Sequence, residues 1–236
     1  EITAEIVKER PDLKALLGQK LTVIAWLWAR TIKSPNPAFS EVEIPLVASF
    51  VLATKPGKEA YVQPAVDGQR YRFTVKMGLP PESAKRGTKV PGKGSGFMCV
   101  VSNSPVDGNY VKAEAQAGRM KARLMTVVAE GPRGRIYLDP DIAQEALALS
   151  AIPEWEPTQE LVGKARDQMP LYGMTTFGDI FTRRQLVGLT TFADLISMVK
   201  SQVEADAVRA GMRTGEDSLE NGGAGAGAYA DAVAMF

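Results

Sequence analysis

Two short stretches carry the spacing of paired metal knuckles. Ser34 and Phe39, in SPNPAF (34–39), stand at the C-x4-C interval, and Cys99 and Ser102, in FMCVVSNSPV (97–106), stand at C-x2-C. Two such knuckles on β-hairpins build a zinc ribbon when all four positions supply Cys or His. Here only Cys99 does, so the pair is expected to be metal-free. A second set of residues is cationic. Lys85, Arg86, Lys89 and Lys93 fall in one loop, and Arg119, Lys121, Arg123, Arg133 and Arg135 surround an expected hairpin. Such side chains can follow a phosphate backbone without reading bases, or they can form an ordinary solvated surface.

The composition excludes more chemistry than it suggests. The chain has 236 residues, no histidine and one cysteine. No Ser–His or Cys–His pair can operate within it, and the commonest metal ligand is missing. A lone cysteine forms no internal disulfide, which suits a reducing cytoplasm. A net charge of +1 gives no global field toward nucleic acid or membrane. No paired carboxylates stand out, and no catalytic residue is assigned. The sequence GTKVPGK (87–93) imitates a phosphate loop, but Gly94 stands where magnesium needs Ser or Thr, and no strand precedes it. GAGAG (223–227) follows polar residues, so it reads as a lead into a helix rather than a cofactor turn.

The elements that position these residues follow from periodicity. Residues 3–17 carry a helix start at Thr3, limited by Pro11, 21–32 read as a buried strand, and the longest strongly apolar run, Leu21 to Ala29, is too short to span a bilayer. Strand-like runs at 44–54, 59–66 and 70–77 follow, with VDGQ (66–69) as a hairpin turn, so this half reads as a β-meander. Residues 78–96 are expected to form a mobile loop, 97–101 a strand, 109–117 a helix, and 120–129 and 135–138 two further strands. Residues 150–175 read as irregular. A long helix is expected from about 182 to 210, begun by the Thr182–Gln185 capping box, with a last helix over 228–236. The expected fold class is α+β: a β-rich domain over 1–140 with ribbon-like knuckles, then a helical segment over 141–236. The polar N-terminus, without an initiator Met, and the C-terminus, inside an apolar helical pattern, read as the ends of an excised piece.

Asn36-Pro37-Ala38-Phe39 resembles the N-P-P-F/Y loop of amino-methyltransferases, in which an Asn holds the target amino group and the ring stacks on a flipped base. Ala38 departs from that pattern. A catalytic loop, a metal-free knuckle and a plain turn therefore all remain readings of this stretch. The blocks LTVIAWLWARTIKSPNP, GRMKARLMTVVAEGPRGRIYL and YGMTTFGDIFTRRQLVGLTTFADL resemble the middle region of large adenine-specific DNA methylases that begin with an uncharacterised N-terminal domain. That resemblance covers nearly the whole chain. It implies an insert between catalytic blocks that contacts duplex DNA or braces the catalytic parts of the same chain. It also implies S-adenosylmethionine as cofactor of the full-length parent, with none in this segment. Many relatives carry cysteines at the four knuckle positions, and this chain departs at three of them. The alternative is a scaffold or protein-interaction module with no ligand of its own.

Overall fold

β-Branched and aromatic residues dominate the strand Val23–Lys33, and its partners come from well-separated parts of the first of two units. The chain is seen in a computed structural model that describes residues 1–92, 96–215 and 218–235. One unit comprises Glu1–Ala148 and Leu161–Thr175, and the other Leu149–Glu160 and Thr176–Phe236. The expected boundary at 140/141 falls inside the first unit.

In the first unit Thr3 caps α1 (Ala4–Glu9), its hydroxyl accepting the Ile6 N–H at 3.4 Å. Pro11 ends that helix and opens a 3-10 turn over Pro11–Leu16, since proline fixes φ and offers no N–H. Then follow β1 (Val23–Lys33), β2 (Glu43–Pro45), β3 (Val51–Ala53), β4 (Ala60–Asp67) and β5 (Arg70–Met77). Next come α2 (Glu82–Arg86), β6 (Phe97–Met98), β7 (Pro105–Val106), α3 (Gly108–Gln116), β8 (Lys121–Gly131), β9 (Gly134–Leu138), α4 (Ile142–Leu149) and α5 (Gly163–Gln168). Every strand pairing is antiparallel, in sheets ordered β2-β1-β8-β9, β3-β4-β5 and β6-β7.

Four expectations are corrected. The run 44–54 splits into β2 and β3, because Pro45 ends one strand and the chain crosses to the second sheet. The first half is not a self-contained meander: β1 pairs with β8, with Thr31 opposite Lys121 and Val23 opposite Ala129. Local patterning identifies strands but carries no record of distant partners. The expected strand 97–101 stops at Met98, because Cys99 to Ser104 form a turn. The segment 161–175, read as irregular, holds α5 and a 3-10 turn over Met169–Tyr172, closed by Gly173 at φ 73°. These pieces are too short for helical periodicity to register.

The main core gathers Ile32, Ile44, Phe50, Val62, Phe73, Cys99, Val106 and Val111. Tyr71 and Phe73 meet edge to face at 5.3 Å, an arrangement favoured by ring quadrupoles. A smaller cluster joins Ala60, Val75, Val128 and Tyr137 across the two larger sheets. Asp139 accepts the Val75 N–H at 2.6 Å, and Tyr137 donates to the Leu52 carbonyl at 3.2 Å.

The second unit is helical. Its long helix, α6 (Arg183–Arg209), begins where the Gln185 side-chain oxygen accepts the Thr182 N–H at 2.9 Å. α7 (Ala226–Met235) packs on α6, and its Ala226, Ala228 and Ala230 are buried. Lys200 and Asp231 form an ion pair between them. The similar segments TTFGDIF (175–181) and TTFADLI (190–196) fold differently: Gly178–Ile180 is a 3-10 turn, and 190–196 lies within α6.

Candidate functional site

The two knuckle stretches meet. Asn36 donates from Nδ2 to the Ser104 hydroxyl at 3.4 Å, while its Oδ1 accepts the Ala38 N–H at 3.0 Å. Ser102 and Ser104 share a hydroxyl hydrogen bond at 3.1 Å. Asn103 supplies the positive φ of 52° that turns the chain, a conformation Asn tolerates among non-glycine residues. Ser34 and Cys99 are buried, and Cys99 Sγ accepts the Ser102 N–H at 3.5 Å. Phe39 packs against the main core rather than facing a ligand. Ser34, Phe39, Cys99 and Ser102 therefore do not fit zinc, because one thiol cannot complete a tetrahedral set. Hydroxyl and amide hydrogen bonds link the turns instead. Pro35 and Pro37 flank Asn36, whose carboxamide oxygen is committed to its own turn.

The basic residues sort by their partners. Arg119 is held by buried Glu114 through two hydrogen bonds, 3.0 and 2.7 Å, which keep the Glu114 carboxyl below the usual carboxylate range. Lys121 pairs with Glu43 at 3.4 Å. The Arg123 guanidinium lies 4.8 Å from the centre of the Tyr71 ring, a cation–π distance. Arg135 stands opposite Glu130 in the β8–β9 ladder, and Arg133 lies at the exposed turn between those strands, its carbonyl accepting from Lys58. In this second cluster Arg119, Lys121 and Arg123 are thus engaged within the fold.

Around α2 the picture differs. Lys85 makes only an exposed 3.6 Å pair with Glu82, and such pairs contribute little. Arg86 and Lys89 are exposed and make no ion pair among the described residues. Lys93 lies outside the described residues. Within 78–96, α2 and Thr88 anchor the chain: the Thr88 hydroxyl donates to the Pro45 carbonyl at 2.6 Å, and the Val47 N–H donates back to it at 3.0 Å.

Sequence reasoning missed Arg30. It follows Trp28 by two on β1, and that i, i+2 spacing places both side chains on one sheet face. The alternation W-x-R was the available signal.

In the second unit the ends of α6 are covered at Leu186, Thr190 and Ala207, but residues 191–199 are all exposed. Leu189, Phe192, Ile196 and Val199 recur at three- and four-residue spacing and form one apolar stripe. Phe192 is 72% exposed.

Among the described residues no group of three or more Cys, His, Asp or Glu could hold a metal ion, and no helix is long and apolar enough to cross a membrane. Compared with known proteins, the chain matches no family model, no curated protein and no solved structure.

Proposed function

We propose that this chain is an accessory segment of a large adenine-specific DNA methyltransferase, bracing the catalytic parts through the bare stripe of α6. The class comes from the three resembling blocks. The bracing role rests on one observation: Leu189, Phe192, Ile196 and Val199 leave a continuous apolar strip in water. Contiguous apolar surface of this kind marks interaction sites. The two turns joined by Asn36 and Ser104 fit a ribbon that has exchanged metal for hydrogen bonds. In this reading the chain has no chemistry of its own and takes no cofactor. The methyl donor, S-adenosylmethionine, belongs to the parent's catalytic parts.

Sedimentation and a hydrophobic dye test the bracing role. The isolated protein is expected to self-associate and to bind the dye. Phe192→Ser with Ile196→Ser should restore a monomer and remove most dye signal without changing helix content. A wild-type protein that stays monomeric and dye-silent at high concentration sinks the reading.

A second reading, a grip on duplex phosphates, is favoured by the exposed Arg86 and Lys89. Replacing Lys85, Arg86 and Lys89 by Ala should weaken duplex binding alike across sequences. The slope of log affinity against log salt should flatten by about 0.9 for each phosphate that the variant no longer neutralises. Unchanged duplex affinity at low salt in that variant removes the grip.

A further inference from the structure

An open groove of about 610 Å³ in the first unit has a distinctive lining. Trp28 and Arg30 come from β1, Lys89 and Phe97 from the chain flanking residues 90–96, Met120 from the approach to β8, and Tyr172 from the turn after α5. Three independent features converge there. Trp28, Phe97 and Tyr172 line it and are half-buried, so each residue keeps some solvent-accessible surface. Lys89 and Phe97 are bridge partners, which places a cation beside a ring by backbone pairing. Among the described residues no carboxylate lines the groove, and neither Arg30 nor Lys89 makes an ion pair. Among the described residues the Arg30 guanidinium donates only to the Met120 sulfur, at 3.7 Å, which is a weak acceptor.

Aromatic faces, a soft thioether and two uncompensated cations complement a flat aromatic group that carries negative charge. We propose that this groove holds an unpaired base of single-stranded nucleic acid, stacked among Trp28, Phe97 and Tyr172. Arg30 and Lys89 take the phosphates on either side. Base–aromatic stacking with cations along the backbone is the general physics of single-strand binding, and it needs no sequence readout. The volume suits one base with its sugar. The groove is open, so the strand can enter and leave past it. Two cations on separate elements suit two successive phosphates better than one mononucleotide. Duplex DNA buries its base faces in the stack and cannot use these rings. The inference is independent of the α6 stripe. It differs from a duplex grip in requiring a bare base.

The test is fluorescence anisotropy with a short labelled oligothymidylate, against dTMP and a duplex of the same length as competitors, at low salt. The oligothymidylate is expected to bind and to quench tryptophan fluorescence, with dTMP and duplex competing far more weakly. Tyr172→Leu keeps the apolar volume but removes a ring. It should weaken binding by about 5- to 150-fold, the range measured for losing one stacked base. Arg30→Gln with Lys89→Gln should weaken binding and reduce its salt dependence. Circular dichroism confirms that each variant is folded. No binding by the wild type, equal competition by dTMP or duplex, or full affinity in Tyr172→Leu would each overturn the proposal.

Discussion

Tyr71 shows how one side chain ties packing, charge and pH together. Its ring meets Phe73 and Arg123, and its hydroxyl donates to the Glu43 carbonyl at 2.6 Å. Burial pushes the phenol up to about 12 from an ordinary 10, with Arg123 opposing part of the shift. The folded state therefore holds this proton more tightly than the unfolded chain does. The stability so gained is complete below pH 10 and is lost as pH rises through about 12. Tyr71→Phe should flatten the alkaline limb of a stability–pH profile between those values. It should also cost about 1 kcal/mol at neutral pH through the missing hydrogen bond. Chemical denaturation across the pH series measures both. An unchanged alkaline limb would mean that the phenol is not the group responsible.

At the scale of elements, α2 and the residues after it show what a glycine can hide. Gly87 sits at φ 59°, and an added Cβ would press on the Val47 carbonyl oxygen, a backbone atom that cannot rotate aside. Gly87→Ala should destabilise the protein by about 2 kcal/mol or more, combining left-handed strain with a backbone clash. Thermal unfolding would show it as a clear drop in midpoint, and an unaltered midpoint would contradict the close approach. The same glycine opens GTKVPGK, which imitates a nucleotide motif in sequence while serving packing in the fold. Elements with long, regular signals were legible: the α6 capping box, the Asp67-Gly68 hairpin turn and the β8–β9 pair were all read within a few residues. Pieces of four to six residues around Gly163 and Tyr172 were not, because one or two turns give no period to detect. Arg30 and Tyr172 were missed as site residues for a related reason, since the groove forms from segments far apart in the chain. The basic clusters were visible as residue types, but the pairing of Lys121 depended on Glu43 arriving from β2, while Glu114 reaches Arg119 from five residues upstream.

For the molecule as a whole, the turns at 34–39 and 99–104 are joined by the hydrogen bond from Asn36 to Ser104. Metal analysis of the purified protein should find no stoichiometric zinc, since one thiol is the whole complement of Cys and His. Asn36→Ala removes the link to Ser104 and the brace on Ala38 together. Its cost should be about 1–2 kcal/mol by denaturant titration, and chelators should leave the wild-type midpoint where it was. A chelator-sensitive midpoint would show that the turns depend on an ion after all.

The pairing of β1 with β8 bears on biosynthesis. A ribosome delivers Val23–Lys33 long before Lys121–Gly131 emerges, and the intervening strands belong mostly to the two other sheets. Until then one edge of a tryptophan-bearing ribbon waits without its mate, open to wrong neighbours on the nascent polypeptide or on others. Folding yield should therefore depend on how quickly translation reaches residue 131, and slow codons ahead of it would favour aggregation.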